Sequence, residues 1–502
     1  MLINGQTYEA TLSVEDIDLQ CRPSAILREV AQQAGPVFLD SSAPSDRFGR
    51  FSLLTALPLE VITLRDGVLT NGAGQELAKA DETIWPALAN CFELVRATGT
   101  RPDSKCPYGP GWFGYLGYEL GRCVEHLPGK AVRDTSFPDL RLAFYDAVLV
   151  YDAVDRKWQL FELKFAKPPD GAGSSARALR AIMSAARCAA NEAVPSRTPI
   201  DALAAITASG AKCNFNTQQY LRAAARCIDY IAAGDVYQVN LSQRFKIADA
   251  PAPIDTYMAL RSRNPAWYAA YMGFRSDHQD CAVVSCSPEL FLRVRGSRVT
   301  TRPIKGTRPR AASDQADQAA AKELLASQKD NAELAMIIDL LRNDLGKVCR
   351  FGSVRVSDPR RLEVHPTVFH LVGTVVGELA EGVGPAELLR ATFPGGSITG
   401  APKIRAMEII DELEPVARGV YTGCVGYVGV NDCAEWNIAI RTMVCQNDTA
   451  YIQAGGGIVA DSTPQSEYNE TLDKARAMLE AVVAARHLTQ PGRETHRQQA
   501  IT

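Results

Sequence analysis

Long runs of β-forming residues constrain the fold of this chain more than any other feature. Two of them, residues 51–57 and 140–151, are rich in Leu, Val, Phe and Tyr. Runs of this composition and length predict strands of a large sheet. Between them, residues 111–121 carry glycines three or four apart, which does not match the G-x-G-x-x-G spacing of a dinucleotide site and favours a tightly packed strand or turn.

The second half of the chain combines strands with helices. Alternating or β-rich runs predict strands at residues 236–245, 282–287 and 291–294, and helical periodicity predicts helices at 216–234, 316–348, 403–413 and 464–485. In the first of these strands, Gln238, Asn240 and Ser242 share one face because side chains alternate along a strand. The second and third strands are separated by Ser-Pro-Glu, which places Glu289 at a strand end.

The composition indicates a globular protein. The chain has 502 residues, of which 46% are hydrophobic and 22% charged, and this length permits about three domains or two large ones. A Pro, Gly, Ser and Ala-rich segment at 167–212 is the predicted linker. We therefore expect an amino-terminal domain with linker at 1–200, a catalytic domain at 201–489 and a polar tail at 490–502.

Charge and targeting signals exclude several classes of function. The net charge is -3 and the basic residues are dispersed, so nucleic acid is not an expected partner. Apolar runs stay below the ~18 residues needed to cross a membrane, and the first 20 residues lack the pattern of a signal or transit peptide. The 13 cysteines are scattered singly, which is typical of buried thiols in a reducing compartment. These features predict a cytoplasmic protein.

Residues 301–310, TRPIKGTRPR, contain the first candidate for catalysis. Lys305 lies between a proline that stiffens the chain and Gly306, which allows a ligand to approach the backbone. A lysine held on such a turn is a candidate nucleophile. The alternative is a surface loop with a solvated lysine.

Two acidic pairs on two predicted helices are the candidate metal ligands. Asp330 and Glu333 lie three residues apart, as do Glu467 and Glu470, so each pair shares a helix face. Carboxylates without neighbouring cysteine or histidine suit Mg²⁺, and Lys474 follows one turn later. The alternative is that both pairs lie on solvated helix faces.

Two glycine-rich loops and an arginine are candidates for binding an anion. Residues 395–403 do not form a Walker A motif because Ala and Pro intervene before the lysine, but their backbone and Ser397 are suited to a carboxylate at a helix start. Residues 454–457 form the second loop. Arg441 lies in an apolar run and needs an anionic partner, which is either a ligand carboxylate or a protein Asp or Glu.

Taken in order, these segments resemble the chorismate-utilising enzymes. The resemblance is carried by SPELF (287–291), PIKGT (303–307), DLLRND (339–344), HLVGT (370–374), PGGSITGAPK (394–403), GCVGY (423–427), IRT (440–442), AGGGIVADS (454–462) and EYNETLDKA (467–475). FLDSS (38–42) and the glycine run extend it, more weakly, to the amino-terminal half. The resemblance implies an α+β fold, a large two-subdomain β-sandwich of mainly antiparallel sheets with helices on the outside.

The resemblance also implies a reaction. PIKGT is similar to the branch of the family that aminates chorismate at C4, whereas the branch that forms anthranilate has alanine in place of Lys305. At Gln238, the members that add water carry a lysine as base, and glutamine cannot replace it. The implied reaction is therefore amination of chorismate by ammonia to 4-amino-4-deoxychorismate, towards p-aminobenzoate and folate. Anthranilate formation is the alternative.

Site residues follow from the same resemblance. It implies Lys305, Glu289 and His370 as catalytic residues. It implies Mg²⁺ as cofactor, held by Glu333, Glu470 and Glu467, with Asp330 in the surrounding acidic shell in place of a more usual glutamate. The implied substrate-binding residues are Gln238, Gly306, Thr307, Ser397, Tyr421, Arg441, Gly455, Gly457 and Lys474.

The sequence also bears on binding partners. Since no cysteine lies in a setting typical of a glutaminase, the resemblance implies a separate glutamine amidotransferase subunit that delivers ammonia. Relatives bind tryptophan, as inhibitor or structural ligand, where FLDSS and residues 264–268 fall, and we assign Leu39 and Ser41 to such a pocket. A catalytically silent subunit that only anchors a glutaminase is the alternative from a different class of function.

Overall fold

The structure is a computed structural model that describes residues 2–3, 5–43, 45, 48–79, 81–98, 106–186 and 201–488. The predicted polar tail, 490–502, lies outside the described residues. So do residues 187–200, which form the middle of the predicted linker.

Two large sheets dominate the described part of the chain. Their strands are β1 (Tyr8–Ile17), β2 (Val37–Asp40), β3 (Phe51–Thr55), β4 (Glu60–Arg65), β5 (Val68–Asn71), β6 (Glu76–Lys79), β7 (Val95–Thr98), β8 (Gly111–Leu116), β9 (Leu140–Tyr145), β10 (Ala147–Asp152), β11 (Lys157–Phe165), β12 (Lys212–Cys213), β13 (Gln238–Ile247), β14 (Tyr268–Ser276), β15 (Gln279–Ser287), β16 (Leu290–Arg295), β17 (Arg298–Arg302), β18 (Ile304–Pro309), β19 (Arg355–Val364), β20 (Val368–Glu378), β21 (Gly400–Ala401), β22 (Cys424–Gly429), β23 (Cys433–Asn437), β24 (Thr442–Gln446) and β25 (Thr449–Ile458). The first sheet, sheet A, has the order β12-β13-β25-β24-β15-β14-β2-β3-β10-β11-β1-β7, with β21 beside β13. The second, sheet B, has the order β18-β20-β17-β16-β23-β22-β8-β9-β4-β5-β6, with β19 beside β20.

Helices cover the outer faces of the two sheets. They are α1 (Pro23–Ala31), α2 (Asp81–Phe92), α3 (Ser174–Ala185), α4 (Ala202–Ser209), α5 (Thr217–Ala232), α6 (Pro253–Arg263), α7 (Asp314–Ala326), α8 (Gln328–Gly346), α9 (Pro385–Thr392), α10 (Lys403–Leu413) and α11 (Pro464–Leu488), with short 3₁₀ helices at Tyr118–Cys123 and Gly396–Ile398. None of the helices in the described ranges is long and apolar enough to pass through a bilayer.

The hydrophobic core lies in three layers. Side chains of both sheets meet in the middle one, where Phe113 and Tyr427 of sheet B lie in the same cluster as Val148 and Met272 of sheet A. Two further clusters join each sheet to its outer helices. Apart from the parallel pair β1 and β7, the strand pairs are antiparallel. The predicted α+β sandwich of antiparallel sheets with outer helices is therefore confirmed.

Both sheets draw strands from the two halves of the chain. In sheet A, β2 pairs with β14 so that Leu39 lies opposite Ala270, and in sheet B, β8 pairs with β22. The run 140–151 is not one strand but two, because β9 belongs to sheet B and β10 to sheet A. Asp146 stands at the crossing, where its side chain accepts a hydrogen bond from the backbone N–H of Gly173 at 2.6 Å.

The long helix predicted for residues 316–348 is wrong, since the chain forms two helices there. Ser327 between α7 and α8 has extended backbone angles, φ -62° and ψ 112°, and its hydroxyl accepts the N–H of Asp330 at 3.2 Å. A serine three residues before an aspartate is a start signal for a helix. The helix predicted to begin at 216 has the same kind of start signal, because Asn216 and Gln219 form a capping box at the start of α5.

Candidate active site

Lys305 lies between the two sheets. It belongs to β18 of sheet B, and its Nζ donates a hydrogen bond to Oε1 of Gln238 on β13 of sheet A at 3.3 Å. The prediction that Lys305 lies on a turn is wrong, because the residue is in a strand interrupted by a bulge. The bulge is at Gly306, which has φ +79° and where a Cβ would lie 2.9 Å from Cγ of Asp330. Glycine is therefore required next to the lysine.

Burial and neighbouring charges set the state of this amine. Burial lowers the pKa of Lys305, Lys474 lowers it further, and the carboxylates of Glu333, Glu289 and Glu470 oppose the shift, so that the net direction is downward. A lowered pKa increases the fraction of free amine, which is the nucleophilic form.

Glu289 stands at a strand end, as predicted, between β15 and β16. Its side chain is buried, and Oε1 accepts a hydrogen bond from the Ser397 hydroxyl at 2.6 Å. Burial raises the pKa of Glu289 to about 7, although Ser397 and Lys305 act in the opposite direction. A carboxyl group with this pKa is protonated in a large fraction of molecules near neutral pH, as a general acid requires.

The glycines of β25 leave space beside these groups. A Cβ at Gly457 would lie 3.0 Å from Cδ of Gln238 and 3.2 Å from Nζ of Lys305. A Cβ at Gly455 would lie 2.6 Å from the backbone oxygen of Leu241. Because both residues face the space between the sheets, they form a cradle in which a ligand can contact backbone.

Replacing Gly457 by alanine is therefore expected to weaken substrate binding. The new methyl group would press on Gln238 and Lys305 and occupy space in the cradle. We expect the KM for substrate to rise about tenfold, corresponding to about 1.4 kcal/mol. Steady-state kinetics checks this result, and thermal unfolding separates it from a general loss of stability. A KM and kcat equal to those of the original chain would contradict the assignment of the cradle.

Two carboxylates converge at Gly456, the residue between the two glycines of the cradle. The position of a Cβ there lies 3.0 Å from Oε2 of Glu467 and 3.2 Å from Oε1 of Glu470. Oε1 of Glu467 accepts the Ser462 hydroxyl at 2.6 Å, whereas its buried Oε2 has no hydrogen-bond partner within the described residues. Lys474 pairs with Glu470 at 2.5 Å and donates to the backbone oxygen of Gly455 at 2.9 Å.

Glu333 and Asp330 both lie on α8 next to the strand of Lys305, but they have different partners. Burial raises the pKa of Glu333, and the charges of both Lys305 and Glu470 reach it. Asp330 instead pairs with Arg308 at 2.9 Å. In the ranges that the structure describes, no group of three His, Cys, Asp or Glu side chains is placed to hold a metal ion. The unpartnered oxygen of Glu467 and the all-carboxylate donor set nevertheless fit Mg²⁺, so the predicted site stays a prediction.

His370 and Thr307 contact each other beside the lysine strand. Nδ1 of His370 and the Thr307 hydroxyl are 2.9 Å apart, and Nε2 is buried with no partner in the described part of the chain. Burial, together with the charges of Arg441 and His365, holds the pKa of His370 well below its usual range. Its surroundings therefore favour the neutral imidazole.

Arg441 has no carboxylate partner among the described residues. Its guanidinium donates only a long hydrogen bond to Oδ1 of Asn264, at 3.4 Å, and burial lowers its pKa. Within the described ranges no Asp or Glu pairs with it, and the guanidinium remains suited to a carboxylate of a ligand. Tyr421 is buried, and its pKa is raised, mainly by that burial. A hydrogen bond with the backbone of Gly455 acts to lower this pKa, so Gly455 is its neighbour.

Leu39 and Ser41 lie in a separate cavity of about 110 Å³. Phe48, Trp267 and Arg293 are among its other lining residues. The Ser41 hydroxyl donates to the backbone oxygen of Phe51 at 2.8 Å, so its hydrogen is used by a contact within the protein. That tryptophan binds in this cavity stays a prediction.

Sequence reasoning missed two residues of the site. Asn264 accepts a hydrogen bond from Arg441. From sequence, its segment, 264–268, is assigned to the tryptophan pocket and not to the active site. Asn240 was placed on the same strand face as Gln238 without a role. Its side-chain oxygen is buried and has no hydrogen-bond partner in the part of the chain described here.

Comparisons with known proteins agree with this geometry. A family model described as chorismate binding enzyme matches residues 51–480. The chain is 38% identical to anthranilate synthase component 1 of Thermus thermophilus over 471 residues, covering 93% of this chain and 96% of the relative. It is 38% identical to aminodeoxychorismate synthase component 1 of Klebsiella aerogenes over 478 residues, covering 93% and 99%. The crystal structure of anthranilate synthase component I from Streptococcus pneumoniae matches with a TM-score of 0.72 at 31% identity, covering 87% of this chain and 93% of that one.

Proposed function

Because the chain belongs to the family of chorismate-binding enzymes, we propose that it is aminodeoxychorismate synthase component I, also called para-aminobenzoate synthase component I. This enzyme converts chorismate and ammonia to 4-amino-4-deoxychorismate, the precursor of p-aminobenzoate in folate biosynthesis. The relatives include proteins named aminodeoxychorismate synthase component 1 and proteins named anthranilate synthase component 1, so their names do not distinguish the two reactions. The observation that carries the proposal is the amine of Lys305 in the cradle, 3.3 Å from Gln238.

In the proposed reaction, Glu289 acts first as an acid. Nζ of Lys305 forms a bond to C2 of chorismate, the double bond shifts, and the C4–O bond breaks while Glu289 donates its proton, so that water leaves. Ammonia then forms a bond to C4, the double bond returns, and the C2–Nζ bond breaks to release the lysine. The proton lost by the added ammonia restores Glu289. Two moderate barriers replace one high barrier.

The groups that face the cradle bind the substrate. The guanidinium of Arg441 and the Tyr421 hydroxyl are suited to the enolpyruvyl carboxylate, and the backbone of Gly455 and Gly457 to the ring carboxylate. Glu333, Glu467 and Glu470 would hold Mg²⁺. Bound there, Mg²⁺ would neutralise the ring carboxylate and withdraw electron density from the diene.

A separate glutamine amidotransferase subunit is proposed as the source of ammonia. Several of the described cysteines are in surroundings that do not favour the thiolate that a glutaminase needs. Burial raises the pKa of Cys213 to about 11 and of Cys91 to about 12. The chain by itself is therefore expected to use free ammonia and not glutamine.

Product analysis tests the proposal. The purified chain is incubated with chorismate, Mg²⁺ and ammonium at high pH, and the products are separated. We expect 4-amino-4-deoxychorismate without release of pyruvate. Fluorescent anthranilate with an equal amount of pyruvate would show the alternative, anthranilate synthase component I. Absence of any chorismate consumption would favour a silent subunit.

A further inference from the structure

Asn240 has a side chain whose hydrogen bonding is incomplete. The residue is 8% exposed, and its Oδ1 has no hydrogen-bond partner within the described ranges. A buried carbonyl oxygen without a partner is destabilising, so such atoms are rare unless a ligand or water completes them. The oxygen of Asn240 therefore marks a place where a donor is missing.

The backbone holds this oxygen in the cradle. The N–H of Asn240 donates to the backbone oxygen of Thr399 at 2.8 Å, and its carbonyl accepts from Arg418 at 2.7 Å. Asn240 lies opposite Gly457 in the register of β13 and β25. Its Oδ1 is 3.0 Å from the position that a Cβ of Gly455 would take. The unpartnered oxygen thus borders the space that the two glycines leave open.

Gln238, two residues earlier on the same face, has the opposite requirement. Its Oε1 accepts from Lys305, whereas its buried Nε2 has no partner among the residues that the structure describes. The face therefore presents an unused donor next to the lysine and an unused acceptor one step further along the strand. A carboxylate satisfies the donor but not the acceptor, because a carboxylate has no hydrogen to give.

We propose that Oδ1 of Asn240 accepts an N–H of the ammonia that attacks chorismate. This inference rests on the proposed function, in which ammonia is the nucleophile. Chorismate offers two carboxylates that only accept and a single O–H, on the C4 hydroxyl that leaves before ammonia adds, whereas ammonia brings three N–H donors. One N–H held by Asn240 fixes the molecule and leaves its lone pair free for the ring.

A neutral acceptor suits this task better than a charged one. A carboxylate at the same position would favour the ammonium ion, which has no lone pair and is not a nucleophile. It would also repel the two carboxylates of chorismate. The amide of Asn240 accepts a hydrogen bond without either effect.

Separate KM values for the two substrates test the assignment. In Asn240→Leu the side chain keeps its approximate size but has no acceptor. We expect the KM for ammonium, measured at saturating chorismate, to rise about tenfold, the worth of about one hydrogen bond. The KM for chorismate is expected to change less than about twofold, and kcat at saturating ammonium to remain within about threefold. Asn240→Ser, which is too short to reach the same point, is expected to raise the KM for ammonium in the same way.

Gln453→Met is the matched control. Gln453 lies on the same face of sheet A, opposite Arg244, and its Oε1 is likewise buried without a partner in the described chain. Its substitution removes an atom of the same kind outside the cradle, together with the hydrogen bond that Nε2 donates to Ser242 at 2.8 Å. Both KM values are expected to stay within about twofold. An equal rise in this control would show a general effect of altering the face, and would overturn the proposal.

Two further outcomes overturn it. One is an unchanged KM for ammonium in the Asn240 variants, and the other is a raised KM for chorismate alone, which would assign Oδ1 to a hydroxyl of chorismate. If Asn240→Leu does not fold, as judged by thermal unfolding, Asn240→Ser decides. The product of the unaltered chain is determined first, so that anthranilate formation would refute the proposed function while the KM for ammonium still tests Asn240.

Discussion

Lys305→Ala is expected to lower the rate of chorismate amination by about 10³-fold or more, which is the usual loss when a covalent nucleophile is removed. The amine is the group that forms the bond to C2, and the hydrogen bond to Gln238 places it beside the cradle. The methyl group of alanine cannot form that bond. The measurement is ammonia-dependent formation of 4-amino-4-deoxychorismate at saturating chorismate and ammonium.

Lys305→Arg separates nucleophilicity from charge. Arginine keeps a positive charge near Glu289 and Glu333, but its guanidinium is not deprotonated in proteins. If the amine acts as a nucleophile, this variant is expected to be as inactive as the alanine variant. Mass spectrometry of the unaltered chain with chorismate and no ammonia is expected to show an adduct of chorismate minus water on Lys305. Full turnover by Lys305→Ala would contradict the covalent route.

Short motifs selected residues that the structure brings together, although their catalytic roles stay predictions. Lys305, Glu289 and Gln238 were selected from short motifs, and the structure brings them together because each lies at an end or bulge of a strand facing the space between the sheets. Motifs of this kind depend on local chemistry. They therefore remain visible in sequence without knowledge of strand order.

The distribution of strands over two sheets was not predictable in this way. Residues 140–151 form one apolar run in the sequence, yet β9 and β10 belong to different sheets. Likewise, β2 pairs with the distant strand β14, so that Leu39 lies opposite Ala270. Such pairs are set by packing between distant segments, which leave no mark on local composition. The ion pair of Asp330 with Arg308 is a second example. Helix spacing predicts that Asp330 and Glu333 share a helix face, but it does not show that the side chain of Asp330 contacts Arg308.

Glu289→Gln is expected to lower kcat by about 10²-fold to 10⁴-fold, the usual contribution of a general acid. Glutamine keeps the shape of the side chain and a carbonyl that accepts the Ser397 hydroxyl, but it has no proton to give the departing C4 hydroxyl. With Glu289 in place, kcat/KM at constant free ammonia is expected to fall as pH rises above about 7, because the carboxyl with a pKa of about 7 loses its proton there. On the acid side of the profile, protonation of Lys305, whose pKa burial lowers, is expected to limit the activity.

Ser397→Ala tests the direction in which the pKa of Glu289 shifts. The Ser397 hydroxyl donates to Glu289 at 2.6 Å and lowers the pKa of that carboxyl by stabilising its charged form. Its removal is expected to raise the pKa, so the alkaline fall in kcat/KM should move to higher pH. In Glu289→Gln this fall should disappear, because no carboxyl remains to titrate. A pH profile that keeps the same alkaline fall in Glu289→Gln would show that another group donates the proton, and Glu289 would then act only through its contact with Ser397.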